Sequence, residues 1–81
     1  MPTTRTELIE GLAGRTDLAP LTQTEIESIL SLAAVAAHGT GDRTSAPLVS
    51  FLAGLEAAGA DDRAESLDAF RRQVAELAPG E

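Results

Sequence analysis

Few residues in this 81-residue chain can do chemistry, and most of them fall in one stretch. It reads Ala-His-Gly-Thr-Gly-Asp-Arg-Thr-Ser-Ala-Pro-Leu from Ala37 to Leu48. It holds the single histidine, His38, and it holds Arg43, Thr44 and Ser45. Cysteine, lysine and tyrosine are missing from the chain. Acid–base catalysis needs titratable groups that converge on a pocket. A nucleophile–histidine–carboxylate set could be drawn only from Ser45, His38 and Asp42, and no triad or metal-ligand spacing accompanies them. The expectation is that the chain is not an enzyme.

Metal and cofactor sites fare similarly. Thiolate ligation is impossible without cysteine, and a zinc site would need more than one histidine. Asp61, Asp62 and Glu65 could attract a divalent cation weakly, but acids at a helix start are accounted for by the helix dipole. No metal and no cofactor is expected. The quoted stretch admits two readings. In one, Arg43 and the first N–H groups of the following helix hold a phosphate or similar small anion. This is not a phosphate-binding P-loop, whose GxxxxGK[ST] pattern is absent. In the other, glycines end one helix, Ser45 caps the next, and His38 complements a helix C-terminus. The candidate partner- or anion-binding residues are His38, Arg43, Thr44 and Ser45. Glu65-Ser66-Leu67-Asp68 echoes the attachment serine of acyl carriers. Its expected place inside the last helix lacks that motif's context.

These residues must be positioned by helices. Leucine and alanine dominate the apolar residues, and β-branched and aromatic residues are few. Four helices are expected, over 5–13, 23–38, 46–58 and 62–78, in one domain spanning 1–81. Thr4 with Glu7 and Thr22 with Glu25 have capping-box spacing. Gly14 and Gly39 are placed to end the first two helices. Ser45 is the expected third cap, and Asp61 or Asp62 begins the fourth. Ile26, Ile29, Leu30, Ala33 and Ala37 share a face of helix two, and Leu32, Val35 and Ala36 extend the apolar surface round most of its circumference, as expected of a buried helix. Leu48, Phe51, Leu52 and Leu55 form a clean stripe on helix three, expected to be buried. Ala46, Ser50 and Gly54 form a second ridge suited to a close crossing. Leu67, Phe70, Val74 and Leu77 line helix four, and Leu18 should tuck inward from the first connector. The fold class is all-α: a compact bundle of four helices with short connections, helix two central.

The formal charge is −7. That balance opposes nucleic acid and anionic lipid unless a local basic patch exists, and none is apparent. The longest apolar run, Ile29 to Ala37, is far short of the ~20 residues of a membrane span. With no secretory signal pattern, a cytoplasmic location is expected.

Two spans carry a resemblance: Ile29-Leu-Ser-Leu-Ala-Ala-Val-Ala-Ala-His-Gly39, and Arg43-Thr-Ser-Ala-Pro-Leu-Val-Ser-Phe-Leu-Ala-Gly-Leu55. With their Ala-His-Gly helix end, Arg-x-x-Ala-Pro-Leu turn and Phe-Leu-x-Gly helix, they resemble a small uncharacterised actinobacterial helical family. Its members occur alone or fused to molybdenum cofactor guanylyltransferase-like proteins. The chain departs from the family pattern at Thr44, where proline is usual, and in a longer Gly39–Asp42 segment. The resemblance implies a helical domain near molybdopterin metabolism, with such a nucleotidyltransferase-like enzyme as a possible partner. The expected function is a non-catalytic accessory or protein-interaction domain. The alternative is a small-ligand module that binds an anionic nucleotide or pterin phosphate at the loop between helices two and three.

Overall fold

The computed structural model describes residues 3–79. Four helices account for most of them: α1 (Arg5–Thr16), α2 (Gln23–Thr40), α3 (Ser45–Ala58) and α4 (Arg63–Leu77). The described residues contain no strand. The chain is all-α with short connections, and α2 is central, packing on both α3 and α4.

The helix starts follow from side-chain chemistry. Thr4 and Thr22 each accept from the N–H three residues on, while Glu7 and Glu25 accept from the Thr4 and Thr22 N–H groups in return. Two orphan donors are satisfied at each end. Asp62, of the two candidate aspartates, caps α4 by accepting from the Glu65 N–H. Ser45 is not the third cap. It is the first residue of α3, and the preceding Thr44 makes no side-chain cap bond.

Both expected glycine stops are overrun. α1 continues through Gly14 and ends at Asp17, which takes the left-handed conformation itself, at φ 62°. α2 continues through Gly39 to Thr40, and Gly41, at φ 72°, supplies the left-handed turn. Gly39 serves close approach instead. A Cβ built there would lie 2.4 Å from the Ala78 carbonyl oxygen and 2.6 Å from the Ala78 Cβ. The ends of α2 and α4 can meet only because position 39 has no side chain.

The core is small and rich in alanine. Leu32, Ala53, Ala57 and Leu67 are buried together, with Ile29, Val49 and Phe70 packed against them. α2 is buried most deeply along the Leu32–Ala36 part of its apolar surface, with Ile26, Ile29, Ala33 and Ala37 half-buried beside it. Its buried residues are Glu25, Ser28, Leu32 and Ala36, whereas Leu30 is exposed. Glu25 and Ser28 are polar, so an apolar-pattern reading passes over that end of the face. Every buried side-chain polar atom among the described residues has a hydrogen-bond partner, so the cost of burying such a face is met.

α3 is the largest correction. It meets α2 and α4 through Ala53 and Ala57, with Val49 beside them. At 3.6 residues per turn, the expected stripe lies on the opposite side. Leu48, Phe51, Leu52 and Leu55 are all more than half exposed. Small residues allow the helix axes to approach closely, and that choice turns the large residues outward. Leu18 and Leu77 are also exposed rather than inward. Leu67 and Val74 of α4 are buried as expected.

α1 makes no packing contact with any other helix. It buries none of its residues, and Leu8 and Leu12 are each more than half exposed. The face of α3 that a fourth packed helix would cover is therefore open.

Candidate functional site

The segment after α2 is held by its own side chains. Thr40 Oγ1 donates to the Ala36 carbonyl at 2.7 Å and lies 2.9 Å from Ser45 Oγ. Asp42 Oδ1 accepts from the Thr44 N–H at 2.9 Å and from the Thr44 hydroxyl at 2.6 Å. Those two bonds hold the Asp42 carboxyl below its ordinary pKa. The Ser45 and Ala46 N–H groups donate to the Asp42 and Arg43 carbonyls.

These bonds place the four candidate residues. Thr44 and Ser45 are occupied within the turn. His38 and Arg43 are exposed, and Arg43 forms no ion pair with the described residues. The donors that an anion would use at the start of α3 are already engaged. Thr44, Ser45 and Ala46 donate internally, and Pro47 has no N–H.

From the same end, α3 carries its outward stripe. Leu48 is 65% exposed, Phe51 67%, Leu52 54% and Leu55 58%. Positions three and four apart are neighbours on a helix, so the four side chains form one continuous apolar strip. Only Glu56 is charged on α3. Arg43 and Asp42 lie at the strip's amino end, and Asp61 and Asp62 follow its carboxyl end in sequence.

A second cluster escaped sequence reasoning. Glu25 of α2 is 4% exposed. Its Oε2 accepts from Arg63 Nε at 2.5 Å and its Oε1 from Arg63 Nη2 at 2.8 Å. Arg63 Nη2 and Nη1 also donate to the Pro20 and Ala19 carbonyls, at 3.0 and 3.2 Å. One guanidinium thus fastens α4 to α2 and to the connector leading from α1. The Arg63 hydrogen bonds, outweighing the opposing effect of burial, lower the Glu25 pKa from 4.5 to about 2. A cation in the first turn of a helix opposes the dipole. Arg63 at the start of α4 was therefore a signal that a carboxylate lay nearby.

Elsewhere Asp68 pairs with both Arg71 and Arg72 on the polar face of α4. A cleft of about 420 Å³, lined mainly by apolar groups, runs between α1 and the connector, bordered by Ile9, Leu12, Leu18, Pro20 and Arg63. Among the described residues, no three histidine, aspartate or glutamate side chains come together as a metal-ligand set. No helix among them is long and apolar enough to cross a membrane.

Residues 3–81 match a protein family described as a domain of unknown function, DUF6457. The chain belongs to this family. The match includes α1 as well as the three helices that pack together, so the unpacked helix is part of the DUF6457 domain and not an appendage to it. No curated protein and no solved structure matches the chain.

Proposed function

We propose that the chain is a non-catalytic protein-interaction domain that binds through the outward face of α3. The observation that carries this reading is the strip Leu48, Phe51, Leu52 and Leu55, four large apolar side chains left in water side by side. Scattered exposed leucines are ordinary, but a contiguous strip on a small acidic domain marks an interaction surface. Arg43 and His38, both exposed and just ahead of α3 in sequence, are assigned to the polar rim that such surfaces carry. The carboxylates with displaced pKa values, Glu25, Asp42 and Asp68, are all lowered by adjacent donors. That is the reverse of what a general acid needs.

The family resemblance supports an accessory role in molybdopterin cofactor metabolism, with a molybdenum cofactor nucleotidyltransferase-like enzyme as partner. The anion-binding alternative has less support, because the N–H groups at the start of α3 are engaged.

Calorimetric titration of the purified chain into such an enzyme tests the proposal. Wild type should bind. Phe51→Asp should keep its helical spectrum and lose binding, and Arg43→Glu should weaken binding with the fold intact. Binding that survives Phe51→Asp would remove the strip from the account. Nucleotide-induced shifts around Arg43 in an NMR titration would favour the alternative.

A further inference from the structure

Two apolar surfaces of this chain are left without partners, and each has what the other lacks. α1 is a 12-residue helix that packs on no other helix of its chain. Helices of this length are marginal in water without packing, and Gly11 and Gly14 weaken this one further. It presents Leu8 and Leu12, four residues apart and each more than half exposed. α3 presents the strip of Leu48, Phe51, Leu52 and Leu55 with no helix lying on it.

We propose that α1 of one copy lies on the α3 strip of a second copy, and that the exchange is reciprocal. This rests on the reading of the α3 strip as an interaction surface and names the occupant it takes when the chain is alone. Area supports the assignment. Each exposed leucine or phenylalanine offers on the order of 100 Å² of apolar surface. The six residues then bring roughly 600 Å² per chain and about 1,200 Å² to a two-fold pair, the lower edge of a specific interface. One crossing alone would fall well short of it. Charge permits the pairing as well. Arg5, Arg15, Glu7 and Glu10 leave α1 neutral and α3 carries only Glu56, so two chains of charge −7 would meet on their least charged surfaces. The anchor for such an arm is present, because Arg63 holds the Ala19 and Pro20 carbonyls of the connector that leads to α1.

Sedimentation of the full chain over a dilution series, with two variants, tests this. Wild type should sediment at twice the 8.4 kDa chain mass and dissociate on dilution. Leu8→Asp with Leu12→Asp removes the arm, and Phe51→Asp with Leu52→Asp removes its seat. None of these four residues is buried, so both variants should fold, and circular dichroism checks that they do. Each variant alone should be monomeric. Mixed, they should form a heterodimer through the one intact crossing, weaker than wild type by at least tenfold. An arm variant that stays dimeric would overturn the proposal in favour of α3 pairing with α3. A seat variant that stays dimeric would overturn it in favour of α1 pairing with α1. A monomeric wild type would also overturn it. Retained enzyme binding by that monomer, lost in Phe51→Asp, would leave the function reading standing, whereas its absence would remove both.

Discussion

Glu25 and Arg63, 38 positions apart in sequence, form a two-pronged ion pair that joins the start of α2 to the start of α4. The same carboxylate closes the capping box with Thr22, and the same guanidinium holds the Ala19 and Pro20 carbonyls. Three chain segments therefore depend on one pair of side chains, in a domain whose buried apolar set is mostly alanine and leucine.

Removing one partner should be costly. Arg63→Met strands the Glu25 charge and leaves two connector carbonyls without this donor. The expected loss is about 2–4 kcal/mol, a large part of the stability of a domain this size. Adding Glu25→Gln should restore part of it, because the stranded charge is gone. Urea denaturation of the single and double variants measures both effects. An unchanged midpoint for Arg63→Met would show that the pair contributes nothing.

The pair also sets a pH dependence with a definite sign. The Glu25 pKa is lowered from 4.5 to about 2 on folding. Below pH 4.5 the unfolded chain binds a proton that the folded chain does not, so stability falls as pH falls. The contribution is fully present above pH 4.5 and is lost as pH approaches 2. It amounts to roughly 3 kcal/mol at most, reduced because Arg63 is about one-third open to water. Melting temperatures from pH 6 to pH 2 should drop more steeply for wild type than for Arg63→Met. Parallel curves would contradict the assignment.

Two glycines should respond to alanine with opposite signs. Gly54→Ala, in mid-helix with open space around it, should stabilise by about 0.5–1 kcal/mol. Gly39→Ala should destabilise by about 1–3 kcal/mol, because the new methyl meets the Ala78 backbone, which cannot turn aside as a side chain would. Thermal melts of the two variants decide it. A stabilised Gly39→Ala would mean that the α2 and α4 ends do not approach as described.

Core and surface apolar residues should separate cleanly. Leu32, with no exposed surface, should cost about 2–5 kcal/mol as Leu32→Ala. Phe51→Ala should stay within about 0.5 kcal/mol when measured at a concentration dilute enough for the chain to be monomeric, as exposed substitutions do. Burial of the Phe51 ring would instead require a loss of about 3–5 kcal/mol, which is how chemical denaturation distinguishes the two.

How much of this was legible in the sequence depended on whether the signal was local. Capping boxes at Thr4 and Thr22 and the Asp62 cap are patterns spanning four residues, and they placed the starts of α1, α2 and α4. Helix ends were harder. Gly14 and Gly39 looked like stops, but Asp17 and Gly41 took the left-handed positions and the helices ran on. Which face of α3 turns inward was not local at all. Periodicity shows a large stripe and the small ridge of Ala46, Ser50 and Gly54, but Gly54 is exposed, and only the closeness of α2 decides that Ala53 and Ala57 go in and Phe51 stays out. The loop residues His38, Arg43, Thr44 and Ser45 were found by residue type, yet their division into two engaged and two exposed depends on Asp42 and Thr40 geometry. The Glu25–Arg63 pair spans 38 positions, and its one visible trace was an arginine at the wrong end of a helix dipole.

The central claim is that the α3 strip is an interface. Photo-crosslinking from position 51 tests it most directly, with Phe51→benzoylphenylalanine installed in the full chain and irradiated in the cell. The account predicts discrete protein adducts at position 51, including one to an α1 peptide of a second copy, and none at the exposed Gln73 used as control. Position 51 behaving like position 73, with no protein adduct at either, would contradict it.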